Sequence, residues 1–201
     1  MQPFLALEVL STANFQRINY TITTIFVIFT KLKNTLVVYI LDVANDKLVK
    51  AGIVVPQSNE IPLKKDGWNF NWKQLNRNKN SRIFVLKTIG ITSGVEGALH
   101  IIIENDMLIM NVLEIAPHNI GRKNKKYDYV AGCLIAFACK ESFKLDGNYK
   151  GFLTFMSKTS LMKWYSEKYG AKPGLGQRMY IDSENGLILI NKYLERKIGE
   201  R

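Results

Sequence analysis

The residues with the clearest chemical meaning lie in the segment Val112–Leu145, where a basic loop leads into a stretch with helical spacing. The loop contains four cationic side chains: Arg122, Lys123, Lys125 and Lys126. The helical stretch begins with the small pair Ala131-Gly132, which would let a ligand approach the backbone closely. A helix N-terminus carries unpaired N–H groups and a partial positive charge, and both attract anions. The segment therefore predicts an anion site, with a phosphate or pyrophosphate as its natural ligand.

Residue type and spacing argue against several other kinds of site. Cys133 and Cys139 are six residues apart, which fits neither a zinc site nor a redox motif. No serine lies in a nucleophile-elbow motif, and no group of His, Cys, Asp or Glu has the spacing of metal ligands, so we expect no metal. The three-glycine fingerprint of dinucleotide-binding folds and the Gly-Lys-Ser/Thr of nucleoside triphosphatases are both missing. Of the two histidines, His118 follows a predicted strand and is a functional candidate, whereas His100 lies within a strand pattern and is expected to be packed.

Hydrophobic spacing predicts the elements that lead up to the basic loop. An Asn-Asp turn separates the first two of five aliphatic runs, which predicts a hairpin, and a short polar turn separates the last two. The runs are Leu36–Asp42, Leu48–Pro56, Ile83–Leu86, Ala98–Ile103 and Met107–Ile115. We therefore expect antiparallel strands before the loop.

After the loop the pattern alternates between helix and strand. Helices are predicted at Ala131–Leu145 and Thr159–Tyr169, and strands at Phe152–Met156, Met179–Ile181 and Leu187–Ile190. Antiparallel strands that give way to alternating strands and helices indicate an α+β fold, with helices on the faces of a mixed sheet.

Two features in the first half have less specific meanings. Trp68, Phe70 and Trp72 alternate with asparagines, so a period of two would place the three rings on one side, as packed residues rather than as a platform for bases. The stretch Lys64–Arg82 holds six basic residues and one acid. A solvated surface explains this cluster, and a site for phosphates or nucleic acid is the alternative.

The order of elements and the residues of the loop together resemble the GNAT superfamily of N-acetyltransferases. In that family a loop of pattern Gln/Arg-x-x-Gly-x-Gly/Ala opens the central helix and holds the pyrophosphate of acyl-coenzyme A (CoA). The stretch Lys126–Ala131 stands on this loop, with Lys126 at the Gln/Arg position and Tyr129 at the first glycine. The resemblance implies a central mixed, largely antiparallel sheet that is splayed between the fourth and fifth core strands and flanked by helices.

A second stretch carries the same resemblance. Gly151–Met156 resembles the fifth strand of the family, and Lys158–Gly170 resembles its Asn-x-x-Ala-x-x-Phe-Tyr-Glu-Lys-x-Gly helix. Lys158 then stands on the asparagine that contacts the pantetheine arm, and Trp164-Tyr165 stands on the Phe-Tyr pair. Since only tyrosine carries a transferable proton, Tyr165 is the candidate for protonating the leaving thiolate. Packing alone is the alternative role for this ring.

The resemblance implies an enzyme that transfers an acetyl group from acetyl-CoA to an amine by direct attack. Its implied coenzyme-binding residues are Ile115, Lys126, Tyr127, Asp128, Tyr129, Val130, Ala131, Gly132 and Lys158. Backbone N–H groups of Ile115 and its neighbours would polarise the thioester carbonyl. Glu114 lies where relatives often keep a catalytic glutamate, so it joins Tyr165 as a catalytic candidate, with a surface carboxylate as the alternative.

Two other functions stay open. A tRNA-directed acetylating toxin would explain positive charge on both the loop and Lys64–Arg82. A non-catalytic binding module of the same fold is favoured by Tyr129 in place of glycine. The acceptor is a small amine, a peptide or an aminoacyl-tRNA, and a homodimer is possible.

Composition sets the outer bounds. The chain has 201 residues, 47% of them hydrophobic, and a net charge of +11, which fits a folded domain and excludes global disorder. We expect an N-terminal extension at residues 1–34 and one acyltransferase domain at 35–201, best matched to the family at 83–193. The apolar run Thr21–Thr30 is too short to span a membrane, and no secretory signal pattern is present, so we expect a cytoplasmic protein with no membrane contact.

Overall fold

The computed structural model describes residues 35–75, 81–90, 94–121 and 125–196, and the chain from Leu36 onward forms one compact unit. The predicted extension at residues 1–34 lies outside the described residues, as do Arg122 and Lys123 of the basic loop. None of the helices in the described ranges is long and apolar enough to cross a membrane.

The described part of the chain forms one sheet of nine strands in the order β6-β1-β2-β3-β4-β5-β7-β9-β8. Its strands are β1 Leu36–Asp42, β2 Lys47–Val54, β3 Ser81–Thr88, β4 Val95–Glu104, β5 Met107–Ile115, β6 Tyr127–Asp128, β7 Leu153–Met156, β8 Lys172–Pro173 and β9 Arg178–Ile181. All neighbours in the sheet are antiparallel except β5 and β7. The predicted hairpin and the antiparallel run before the loop are confirmed.

Four α-helices accompany the sheet in these ranges: α1 Trp72–Leu75, α2 Val130–Ser142, α3 Thr159–Tyr169 and α4 Ser183–Tyr193. Helix α3 ends at Gly170, whose φ of 65° is the left-handed conformation that glycine adopts at helix ends. Helix α4 begins at Asp182, whose carboxylate accepts the N–H of Asn185 at 2.9 Å. The mixed sheet with flanking helices confirms the predicted α+β class.

Two predictions from hydrophobic spacing are wrong. Leu187–Ile190, predicted as a strand, lies inside α4, where Leu189 and Ile190 are buried and the two preceding residues are exposed. Four aliphatic residues in a row satisfy either element, and the capping carboxylate of Asp182 favours the helix here. Phe70 does not share one face with the two tryptophans, because this segment is a loop and a helical turn rather than a strand. Trp68 and Trp72 are buried with their ring centroids 6.4 Å apart, whereas Phe70 is 46% exposed.

The core has two parts, and successive residues of the central strands alternate between them. On β3, Phe84 and Leu86 belong to the cluster that packs around α2, whereas Val85 belongs to the cluster that contains Trp68 and Trp72. Alternation of this kind places the two clusters on opposite faces of the sheet. Helix α2 is therefore buried against one face, and the tryptophans cover the other.

The sheet opens between β5 and β7. These strands pair in parallel only where Leu108–Met110 meets Leu153–Phe155. Strand β5 then continues to Ile115, and within the described residues no strand pairs with that stretch on the β7 side. The register with β4 also shifts here, leaving Asn111 as an extra residue in β5. The predicted splay between the fourth and fifth core strands is this cleft.

Candidate functional site

The N-terminus of α2 lies just beyond the end of β5 and has no side-chain cap. Its first backbone hydrogen bond runs from the N–H of Cys133 to the carbonyl of Tyr129, at 2.9 Å. The N–H groups of Val130, Ala131 and Gly132 precede that bond and therefore have no acceptor within the helix. Together with the helix dipole, they form a site that attracts an anion.

Tyr129 precedes the helix in the left-handed conformation, with φ at 70°. Glycine adopts this conformation freely, whereas a tyrosine in it costs about 1–2 kcal/mol. The side chain is held by other contacts: its ring centroid lies 6.2 Å from that of Tyr193, and the Arg196 guanidinium lies 4.0 Å from the ring centroid. The ring therefore packs against the C-terminal segment, where aromatic and cation–π contacts offset the strain.

A small cavity of about 90 Å³ lies at this helix start. Its lining brings together Ile115, Lys125, Tyr127, Asp128, Tyr129, Val130, Ala131, Gly132, Trp164, Lys168, Tyr169 and Tyr193. Pockets that enclose whole small molecules usually start at about 300 Å³. The cavity therefore fits a compact group such as a phosphate. The predicted residue Ile115 and the predicted run Tyr127–Gly132 all meet here.

Gly132 has a different role from the one the sequence suggests. A Cβ atom at this position would lie 2.3 Å from the ring of Tyr193. The missing side chain thus makes room for an aromatic ring of α4 rather than for a ligand. The N–H of Gly132 still belongs to the open first turn of the helix.

Charge at the helix start is mainly positive. Asp128 is the acid in the lining, and it accepts hydrogen bonds from Lys125 Nζ and from the N–H of Tyr129, both at 2.6 Å. Burial would raise the pKa of Asp128, but these hydrogen bonds and the charges of Lys125 and Lys168 outweigh it and lower the pKa below its usual value. Asp128 is therefore ionised at neutral pH and orients Lys125, while Lys168 is a further cation in the lining.

Two predicted binding residues lie outside the cavity lining. Lys126 is exposed, with its Nζ 5.1 Å from the ring centroid of Tyr127. Lys158 is exposed at the start of α3 and makes no side-chain cap there.

The free edge of β5 supplies further donors. The N–H of Ala116 donates to the carbonyl of Glu96 at 2.9 Å, which fixes the hydrogen-bonding phase between β4 and β5. In an antiparallel pair, alternate residues turn their N–H groups away from the partner strand. Leu113 and Ile115 therefore direct their N–H groups into the cleft, in the region where the sequence predicts oxyanion donors.

Tyr165 lies beside the closed end of the cleft. Its ring centroid is 4.9 Å from that of Phe155, which pairs with Met110 at the last contact between β5 and β7. It also packs on Trp164 and Tyr169 of α3, with ring centroids 4.9 Å and 6.0 Å away. Burial raises the pKa of Tyr165, so the phenol is protonated at neutral pH.

Glu114 has a structural environment rather than that of a free base. Its carboxylate accepts hydrogen bonds from the N–H and Nδ2 of Asn69, at 2.6 and 2.9 Å, and from Trp72 Nε1 at 2.8 Å. The N–H of Phe70 adds a longer bond at 3.4 Å. Glu114 is neither the surface carboxylate that the sequence allowed nor unpaired. These hydrogen bonds tie β5 to the segment from Asn69 to Trp72, and a catalytic role for Glu114 stays a prediction.

Several residues of the site were missed by sequence reasoning. Tyr169 is buried between Trp164, Tyr165 and Tyr193, and burial raises its pKa above the usual range. Lys168 lies over the rings of Trp164 and Tyr169. The spacing of Trp164 and Lys168, four apart on one helix, was an available signal, but the approach of Tyr193 from α4 was not. The two cysteines stay outside the chemistry, because burial raises the pKa of each thiol to about 12.

Comparison with known proteins supports the fold. No protein-family model and no curated protein sequence matches the chain. The structure is similar to the crystal structure of the KacTA–DNA complex, with a TM-score of 0.50 and 12% identity over 71% of this chain and 99% of the other. It is also similar to a mutant of the AtaT toxin bound to the C-terminus of the antitoxin AtaR, with a TM-score of 0.51 and 15% identity over 69% and 97%. Together with the cleft and the open helix, these similarities give the chain the fold of the GNAT superfamily of acetyltransferases.

Proposed function

We propose that the protein is an N-acetyltransferase that uses acetyl-CoA as acyl donor and an amine as acceptor. One observation carries this proposal: Ile115, at the end of the stretch of β5 that β7 leaves unpaired, lines the same cavity as the uncapped start of α2. An acyl-CoA has an anionic group at one end and a linear amide-containing arm at the other. The chain offers N–H groups at the start of α2 for the anionic end, and N–H groups along the edge of β5 for the amide-containing arm.

The residues present fit such a donor. The N–H groups of Val130, Ala131 and Gly132, with Lys125 and Lys168 nearby, would hold its phosphates. The N–H group of Ile115, next to the helix start, would bind an amide of its arm, which leaves the N–H group of Leu113 for the thioester carbonyl. The cavity of about 90 Å³ is too small for the whole donor, so the rest of it would lie along the cleft.

The chemistry divides between the donor and the chain. Acetyl-CoA supplies an activated thioester whose carbonyl carbon is open to attack by a neutral amine. Backbone N–H groups on the cleft side of β5 would stabilise negative charge that develops on the carbonyl oxygen. Tyr165 holds a proton on its Oη at neutral pH and is the group we assign to protonate the sulfur when the C–S bond breaks. The nitrogen that forms the new C–N bond would lose its extra proton to water, which would also restore the phenol of Tyr165.

Binding and turnover test the proposal separately. Acetyl-CoA should raise the melting temperature, because a ligand that binds only the folded state stabilises it, by about 2.7 kcal/mol at a hundredfold excess over Kd. Release of free thiol should then depend on adding an amine from a panel of polyamines, peptides and aminoacyl-tRNAs. A melting temperature unchanged by millimolar acetyl-CoA would favour a non-catalytic binding module.

Tyr165→Phe tests the proton donor. We expect a loss of turnover of about a hundredfold, typical of removing a general acid, with the acetyl-CoA Kd within about twofold of that of the original protein. Tyr180→Phe is the control, because Tyr180 is a half-buried tyrosine on β9 that stacks on Phe152. Equal turnover in the two variants would remove Tyr165 from the mechanism.

Aminoacyl-tRNA is a second candidate acceptor, and the arrangement of cations favours it. Four of them lie over aromatic rings near the helix start: Lys126 over Tyr127, Lys168 over Trp164, Lys192 over Tyr193 and Arg196 over Tyr129. Lys126, Lys168 and Lys192 are exposed, so their charges are available to neutralise the phosphates of a nucleic acid.

A salt titration of tRNA binding tests this acceptor. The logarithm of the binding constant should fall linearly with the logarithm of the salt concentration, by about 0.7 for each phosphate neutralised in a single strand. A flat response would exclude tRNA and leave a small amine or a peptide as the acceptor.

A further inference from the structure

A buried carboxylate on β4 lies next to the loop that leads into α2. The side chain of Glu96 is 3% exposed, and its Oε2 accepts hydrogen bonds from His118 Nε2 at 2.6 Å and from Asn119 Nδ2 at 3.0 Å. The backbone carbonyl of Glu96 also accepts from the N–H of Ala116, at 2.9 Å, and from Asn119 Nδ2, at 3.3 Å. The first part of the loop is therefore fixed to the sheet through one residue.

The same loop residues hold the segment immediately before the helix. The Oδ1 atom of Asn119 accepts the N–H of Tyr127 at 2.8 Å, and the carbonyl of His118 accepts the N–H of Lys126 at 3.1 Å. The carbonyl of Lys126 in turn accepts the N–H of Val43 at 3.0 Å. Displacing Asn119 or His118 would thus displace the backbone that places Tyr129 at the start of α2.

The chemistry of Glu96 suggests more than packing. Burying a carboxylate is costly unless it is paired, and an apolar residue at such a position is often no less stable. What a carboxylate adds is a fixed acceptor that orients an imidazole and an amide at once. The orientation of Asn119 matters in particular, because its amide nitrogen binds Glu96 while its amide oxygen binds the N–H of Tyr127.

We propose that Glu96, acting through His118 and Asn119, is a positioning residue for coenzyme binding: it holds the segment Lys126–Tyr129 so that the open N–H groups of α2 can receive a phosphate. The proposal rests on the proposed function. It also gives a role to His118, which the sequence predicts as a functional candidate: His118 would hold the loop in place without contacting the coenzyme.

The test compares two glutamates with little side-chain exposure, each of which forms a hydrogen bond with a basic residue. Glu96→Gln keeps the shape of the side chain and removes its charge. Glu141→Gln does the same at the opposite end of α2, where Glu141 pairs with Lys144 at 2.5 Å and its side chain is 11% exposed. Calorimetry would measure the acetyl-CoA Kd of both variants, thermal unfolding their stability, and hydrogen exchange the protection of the Tyr127 amide.

We expect Glu96→Gln to weaken acetyl-CoA binding about tenfold, the equivalent of one charge-assisted hydrogen bond, and to speed exchange of the Tyr127 amide. Glu141→Gln should lower the melting temperature but change neither the acetyl-CoA Kd nor the exchange rate of the Tyr127 amide. His118→Ala, at a half-exposed position that should tolerate it, is the second variant, and it should weaken binding by about threefold or more. In the double variant Glu96→Gln/His118→Ala the two losses should be less than additive, because they remove one interaction.

Each outcome decides. A Glu96→Gln Kd equal to that of the original protein overturns the positioning role and leaves the proposed function intact. Equal weakening by Glu96→Gln and Glu141→Gln also overturns it, since the effect would then follow general destabilisation. If the original protein does not bind acetyl-CoA, the proposed function fails and the positioning role fails with it.

Discussion

The starts of helices α2 and α4 differ in a way that separates stability from binding. Helix α4 begins at Asp182, whose carboxylate accepts the N–H and the Nδ2 of Asn185, both at 2.9 Å. Helix α2 begins at Tyr129, which offers no side-chain acceptor. A capping residue contributes about 1 kcal/mol, so α2 forgoes that stabilisation. One helix start is therefore stabilised by its own side chain, whereas the other leaves its first N–H groups without an intrahelical acceptor, as the proposed phosphate site requires.

Placing a negative charge at the open helix start should have the largest effect. Tyr129→Asp places a carboxylate where the phosphate is proposed to bind, and aspartate tolerates the left-handed conformation better than tyrosine. We expect acetyl-CoA binding to weaken about a hundredfold, through repulsion between the new carboxylate and the phosphate, both of them negatively charged. Calorimetry measures the loss. Tyr129→Asn is the neutral control and should lose much less; equal losses would mean that the tyrosine ring, and not the open N–H groups, binds the coenzyme.

Filling the space next to Gly132 with a methyl group should have the second largest effect. A Cβ atom would lie 2.3 Å from the ring of Tyr193, so Gly132→Ala should destabilise the fold by about 1–3 kcal/mol, through overpacking between α2 and α4. Gly186→Ala is the matched control, because a Cβ there would lie 3.5 Å from its nearest neighbour and alanine favours a helix. Urea unfolding compares the two. Similar stabilities would show that the Tyr193 ring can move away from α2.

Removing the cap of α4 should lower the free energy of unfolding by a smaller amount and should not change acetyl-CoA binding. We expect Asp182→Ala to lower the free energy of unfolding by about 1 kcal/mol, because the N–H of Asn185 loses its acceptor. The acetyl-CoA Kd should not change. A weakened Kd in this variant would contradict the division between the two helix starts.

The contribution of Asp182 to the free energy of unfolding should also depend on pH. We expect this to be the smallest of the four effects. The hydrogen bond from Lys172, with those from Asn185, lowers the pKa of Asp182 below 3.8. A carboxylate with a lowered pKa stabilises the fold above its unfolded-state value and loses that contribution as the pH falls through the folded-state value. The stability difference between the original protein and Asp182→Asn should therefore be constant near neutrality, shrink below about pH 4 and vanish at lower pH. Urea unfolding at a series of pH values measures it, and a constant difference down to about pH 2 would contradict the assignment.

Local patterns predicted most of the fold. Aliphatic runs located the central strands, and α3 was predicted at Thr159–Tyr169, the range it has in the structure. These elements have their signals within a few residues. Leu187–Ile190 was ambiguous because four successive aliphatic residues suit a strand as well as a buried helix turn. The capping residue, Asp182, favours a helix over a strand, but it can be recognised as a cap only once the helix start is known.

Sequence reasoning identified residues of the candidate site only where they are close together in the sequence. The run from Tyr127 to Gly132 lines the cavity together, because its residues are neighbours in sequence. Tyr193 and Arg196 reach the same place from the C-terminal segment, and nothing in a single sequence records that approach. Glu114 likewise finds its hydrogen-bond donors in a loop 42–45 residues earlier, so its register on the strand could not reveal that its oxygens were already bonded.

The two cysteines have a practical consequence for experiments. Both lie in the interior of α2, and each thiol has a pKa of about 12, so almost none is thiolate in ordinary buffers. Aromatic disulfide reagents react with thiolates that they can reach. The intact protein should therefore give such a reagent almost no colour of its own, and any slow reaction with the protein alone would instead count the molecules that have unfolded.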